Sequence, residues 1–196
     1  MSATYNDTQL DALRELANIG AGNASTALSG MLGRSVDLTV PDARLIAMHE
    51  AVEAIGPPES EITGIALGVL GDMPSIVLML VTPPDADALC GLLGLPPGSE
   101  YAESALGEIG NVVGTSYLNA LAGMTGIELE PTPPATATDM LASLVEAVLA
   151  TRAAFSDSAL LLDSRMLVEG EGCSIAFLLV PDEGGADQLL ERLGVS

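Results

Sequence analysis

The chain's 196 residues, 48% of them apolar, are enough to bury a substantial core and fit a single domain over residues 1–196. Its 27 Asp and Glu residues face only six basic ones, all Arg, giving a formal net charge of −21. With no basic patch to displace counterions, such a chain is excluded from binding nucleic acid and from adhering to anionic lipid.

Self-repulsion on this scale is relieved at molar salt, where the screening length falls to about 3 Å, and the composition resembles that of proteins from salt-accumulating halophiles. The most hydrophobic stretch, residues 62–81, is interrupted by Asp72 and Pro74, short of the roughly 20 apolar residues a membrane span needs. The opening residues show neither a basic segment nor an apolar signal core, so a cytoplasmic protein without membrane insertion is expected. Cys90 and Cys173 have no ligand-spaced partners and read as small buried hydrophobes; no metal site or cofactor of the chain's own is expected. His49, the single histidine, offers little basis for Ser-His or Cys-His nucleophilic chemistry.

The first element is a helix over residues 8–32, where Leu10, Leu13, Leu16, Ala17 and Ile19 recur at helical spacing behind a cap drawn from Asn6, Asp7 or Thr8. Gly20 and Gly22 each weaken that helix by about 1 kcal/mol relative to Ala, which close approach of another helix would offset. Residues 36–40 alternate like a strand, stopped by Pro41. A short helix around 50–55 follows, then a hairpin of 62–70 and 74–82 turning at Gly71-Asp72, then a helix over 84–95. The segment Leu95-Pro-Pro-Gly-Ser99 is a linker.

The same order returns beyond it: a helix over 101–124, a short strand at 127–130, Pro131 to Pro134, a helix at 140–150, strands at 159–168 and 173–180, and a closing helix at 185–193. The fold class is therefore α+β in layers, a single domain of two pseudo-twofold-related halves. The first repeat covers 5–95 and the second 100–195, each helix-strand-helix-strand-strand-helix, with the sheet flanked by helices. Asp85, Asp87, Asp182 and Glu183, just ahead of helices, are expected to serve as caps and dipole partners.

One pattern occurs twice at identical spacing. Asp11, Glu15, Asn18 and Pro41 are separated by three, two and twenty-two residues, and so are Ser104, Glu108, Asn111 and Pro134, 93 positions later. On a helix, positions 11, 15 and 18 fall within about 60° of arc, as do 104, 108 and 111. A lone Glu-x-x-Asn is an ordinary solvated stripe. Asn is a poor helix former, however, and two of the chain's five take equivalent places, which favours a functional role for the pair.

The doubled Asp/Ser-x3-Glu-x2-Asn-x22-Pro pattern, with Asn18-Ile-Gly-Ala-Gly-Asn23 in its first copy, resembles the CheC family of chemotaxis phosphatases. The resemblance implies hydrolysis of the aspartyl phosphate of a CheY-type response regulator, with Glu15 and Asn18 forming one site and Glu108 and Asn111 the other. It also implies that Asp11 and Ser104 occupy the variable first position, and that Pro41 and Pro134 are structural or accessory. It places Mg2+ on the regulator and makes the receptor deamidase CheD a further partner. The alternative it leaves open is a non-catalytic chemotaxis adaptor, or a module like those of the flagellar switch, binding CheD or the regulator. An Asn carboxamide, with one acceptor and two donors and no titration near neutral pH, suits the orienting of a water.

Overall fold

The computed structural model describes residues 6–152, 158–168 and 171–195. Residues 1–5, read above for a signal segment, lie outside them, as does the side chain of Pro41.

Helix α1 (Asp7–Leu32) begins at a reciprocal cap: Asn6 Oδ1 accepts from the Gln9 amide at 3.0 Å, and Gln9 Oε1 accepts from the Asn6 amide at 2.9 Å. It stops at Gly33, whose φ of 64° closes the last turn. Strand β1 (Val36–Ala47) follows, then a 3-10 turn and the short α2 (Ala51–Ile55). The hairpin β2 (Glu61–Gly71) and β3 (Ser75–Val81) leads into α3 (Pro83–Leu92). Beyond the linker come α4 (Ala102–Thr125), β4 (Leu129–Pro131), β5 (Ala135–Met140) and α5 (Leu141–Arg152). The strands β6 (Ser158–Val168) and β7 (Glu171–Pro181) and helix α6 (Gly185–Arg192) complete the chain.

Among the described residues, all seven strands join one antiparallel sheet in the order β1-β6-β7-β3-β2-β4, with β5 also on β2. Matching β1 with β4–β5, β2 with β6 and β3 with β7, this order reads the same from either edge. The first strand of each half is exchanged, β1 lying on β6 and β4–β5 on β2, so neither half closes its own sheet edge.

Alternation along the strands feeds two cores. Ile65, Leu67, Val77, Met79, Leu160, Leu162, Phe177 and Leu179 face α1 and α4, joined there by α3 and α6. Ile62, Leu78, Leu80, Leu161, Leu178 and Val180 face the thinner cover of α2 and α5. This is the layered α+β arrangement expected from the sequence.

Three local expectations change. Pro41 does not stop β1. The strand shifts register between Thr39 and Asp42 and resumes at Asp42 opposite Asp163, an edge-strand bulge in which positions 40 and 41 have no cross-strand partner, so that proline's missing donor costs no ladder bond. Residues 135–140 form a strand where none was expected. ATATDM has no large apolar alternation because most of its side chains are exposed on a sheet edge, while its backbone pairs from Ala135 opposite Ala66 to Met140 opposite Glu61. The caps also differ: α3 is capped by Thr82, whose hydroxyl accepts from the Asp85 amide and donates to the Asp85 carboxylate at 2.6 Å, and α6 opens on Gly184 without a side-chain cap.

Candidate functional site

The two long helices lie side by side on one face of the sheet. In α1 the buried residues Leu13, Leu16, Ala17, Gly20 and Ala24 form one stripe, and Asp11, Glu15 and Asn18 stand opposite it, exposed. Gly20 meets the Tyr117 ring of α4, where any Cβ would collide, while Gly22 faces open space. The close helix approach expected of both glycines therefore holds at Gly20 alone.

Helix α4 sits deeper. A Cβ on Gly110 would lie 2.6 Å from Ile65 Cγ2 and one on Gly114 3.3 Å from Leu67 Cδ1, so α4 rests its backbone almost directly on β2. Its buried arc is correspondingly wider, taking in Ala105, Leu106, Gly107, Ile109, Gly110 and Val113. Ser104 and Glu108 remain exposed and Asn111 is half-buried. Pro134 is half-buried over the same helix, its Cγ 3.6 Å from where a Gly107 Cβ would stand.

Among the described residues, none of Glu15, Asn18, Glu108 and Asn111 makes a side-chain hydrogen bond or ion pair, so all four are available to another molecule. None of the four lines the two clefts of about 370 and 580 Å³ beside the α2 and α5 core, lined in part by Ile55, Ile62 and Leu80 and by Ala66, Ile76 and Val148. An exposed helix face outside a cleft suits the surface of a macromolecule better than a small metabolite. No cluster of three or more His, Cys, Asp or Glu side chains able to hold a metal occurs among the described residues, and none of their helices is long and apolar enough to cross a membrane.

Two of the hydroxyls near the first motif are structural. Ser25 Oγ accepts from the Leu38 amide at 2.8 Å and Ser29 Oγ from the Val36 amide at 2.9 Å, pinning β1 to α1. Cys90 and Cys173 are free and buried, and burial, with Asp85 second, pushes the Cys173 thiol up to about 12. His49 is exposed, 3.8 Å from Glu50. Arg14, which the sequence alone did not single out, pairs with Asp11 at 2.9 Å beside Glu15 and Asn18. Its spacing of three from Asp11 on a helix was the available signal.

The model of the CheC-like family matches residues 9–44 and 102–137, segments beginning on α1 and α4 and running past both motif prolines. The chain carries two CheC-like segments. It is 28% identical over 200 residues to the CheY-P phosphatase CheC of Bacillus subtilis (strain 168), with 97% of this chain and 96% of that protein covered. Among solved structures it resembles FliY of Thermotoga maritima, with a TM-score of 0.75 at 19% identity over 98% of each chain. It also resembles a chain of the CheX–CheY–BeF3–Mg2+ complex from Borrelia burgdorferi, with a TM-score of 0.52 at 14% identity over 84% of this chain and 96% of that one. At these identities the structural likenesses establish the fold. Both CheC-like segments include the Glu and Asn positions described above.

Proposed function

We propose that this protein is an aspartyl-phosphate phosphatase acting on a CheY-type response regulator, and that Glu15 with Asn18 and Glu108 with Asn111 form its two sites. The observation that carries the reading is the presentation of one Glu-Asn pair by each of two adjacent helices, with no internal partner for either pair among the described residues. Near-full-length similarity to a CheY-P phosphatase supports it.

The chemistry asks little of the phosphatase. In the reaction, water oxygen attacks phosphorus, the bond from phosphorus to the aspartyl oxygen breaks, the carboxylate leaves with the electron pair, and the water proton ends on the released phosphate. The Mg2+ that offsets charge belongs to the regulator, so the contribution required is a water held in line. Asn18 and Asn111 supply that through their carboxamides, which hydrogen-bond water at any pH near neutrality. Glu15 and Glu108, one turn away on the same faces, fix the docking angle by pairing with a cation of the regulator. Asp11 and Ser104 border the sites. CheD is the second partner proposed, and it rests on the family resemblance alone.

The test is the decay of phosphorylated regulator in high-salt buffer. Asn18→Ala with Asn111→Ala should abolish the acceleration, each single change should leave part of it, and all variants should keep wild-type circular dichroism. A wild-type protein that leaves regulator decay unchanged while binding the regulator would support the adaptor reading and overturn this one.

A further inference from the structure

Arg14 is the single basic residue on either long helix. Counting from Asp11, it sits about 60° round the helix to one side, and it lies about 40° from Asn18 and one turn below it. Its guanidinium is held by Asp11 at 2.9 Å, yet its side chain remains 56% exposed. A guanidinium has five donors, and the Asp11 contact runs through one nitrogen, leaving donors free to reach outward. The position 93 residues later is Gly107, packed near Pro134 and Thr136, and Asp11 is matched by Ser104. The two faces therefore share the Glu-Asn pair and differ in what stands beside it: the Asp11–Arg14 ion pair with its spare guanidinium donors at the first, uncharged Ser104 and Gly107 at the second.

From this difference we infer that Arg14 is a positioning residue of the first site, contacting a carboxylate on the docking face of the regulator, with Asp11 holding the guanidinium ready. The inference rests on the phosphatase reading for its partner. On a chain of net charge −21, few positions offer a cationic donor at contact distance. At the first site Arg14 does so: paired with Asp11 it adds no net charge at long range, but its remaining donors are held in place, which lowers the ordering cost of a contact. The second site must dock without it. The two sites should accordingly differ in how tightly they bind one regulator, and in how that binding responds to salt.

The test separates the sites. Asn111→Ala protein reports the first site and Asn18→Ala protein the second, each with and without Arg14→Ala. In the first-site protein, Arg14→Ala should raise KM about threefold to tenfold with kcat little changed, as loss of a rim charge does, and Arg14→Lys should restore most of the loss. The effect should shrink as salt rises from about 0.3 M to 2 M, because an exposed pair is screened. In the second-site protein Arg14→Ala should change nothing. Equal effects in both backgrounds, a fall in kcat alone, or no effect at low salt would overturn the inference. Titrating the same variants with Mg2+- and beryllofluoride-bound regulator gives the Kd directly. Absent turnover with an Arg14-dependent Kd would sink the phosphatase reading and leave this one standing, whereas regulator binding indifferent to Arg14, or none, would sink this one.

Discussion

The relative placement of the two proposed sites depends on how closely α1 lies against α4, and Gly20 is a point at which the helices touch. Adding one methyl at Gly20 would put a Cβ into overlap with Tyr117 Cδ1, 2.7 Å from Cε1 and 3.0 Å from Cγ. Movement of the ring is opposed by Phe177, tilted 38° to it with centroids 4.6 Å apart, and by Ser164, whose Oγ lies 3.5 Å from the hydroxyl. Gly22, on the same helix, has nothing within 4 Å of its Cβ position. Both substitutions to Ala gain about 1 kcal/mol of helix propensity, so the difference between them isolates the packing contribution. Overpacking of this kind costs about 1–3 kcal/mol. Gly22→Ala should then stabilise by about 1 kcal/mol, while Gly20→Ala should range from neutral to about 2 kcal/mol destabilised. Urea denaturation at fixed high salt, with the slope checked for constancy, measures both. If Gly20→Ala proves as stabilising as Gly22→Ala, the two helices are not in the contact described, and a fixed spacing between the sites loses its support.

Tyr117 also makes a pH prediction. Burial pushes its phenol from 10.0 up to about 12, against a smaller opposing effect of the Ser164 contact. Between those values the unfolded chain ionises and the native one does not, so this contribution is intact below about pH 10 and is lost as pH rises towards about 12. Tyr117→Phe keeps the ring contact and should flatten that decline by about 2 kcal/mol, read from denaturation across this range at constant salt; an unchanged decline would refute the burial argument. Ser25→Ala and Ser29→Ala each remove an acceptor from a β1 amide. Each should cost about 1 kcal/mol and speed hydrogen exchange at Leu38 and Val36 respectively, and exchange rates that stay at wild-type values would show β1 to be held by other means.

Much of the candidate site was legible because helical geometry is local. Asp11, Glu15 and Asn18 share a face wherever the helix is packed, and Leu13, Leu16 and Ala17 dictate that this face points away from the core. The alternation that marks the two hairpins is equally local and placed the ends of β2, β3, β6 and β7 within two residues of where they lie. Edge elements escaped the same reasoning. β5 carries mostly small or polar side chains exposed to solvent, so nothing periodic announces it, and the Pro41 bulge reads as a stop unless the strand is known to lie at an edge. Arg14 was overlooked because a single Arg on an exposed helix face is unremarkable until its partner and its missing counterpart at Gly107 are seen together.

The sequence by itself determined the doubled Glu-Asn faces, the extreme negative charge and the alternation of helices with strand pairs, since each follows from composition or from spacings of a few residues. Only the tertiary structure decided that each half lends its first strand to the other's hairpin and that Gly110 and Gly114 let α4 settle onto β2. It likewise decided that Asn111 ends half-buried while Asn18 stays exposed. Those outcomes turn on contacts between residues scores of positions apart, settled by which pairing buries the most apolar surface on both sides of the sheet, and short-range periodicity carries no record of that competition.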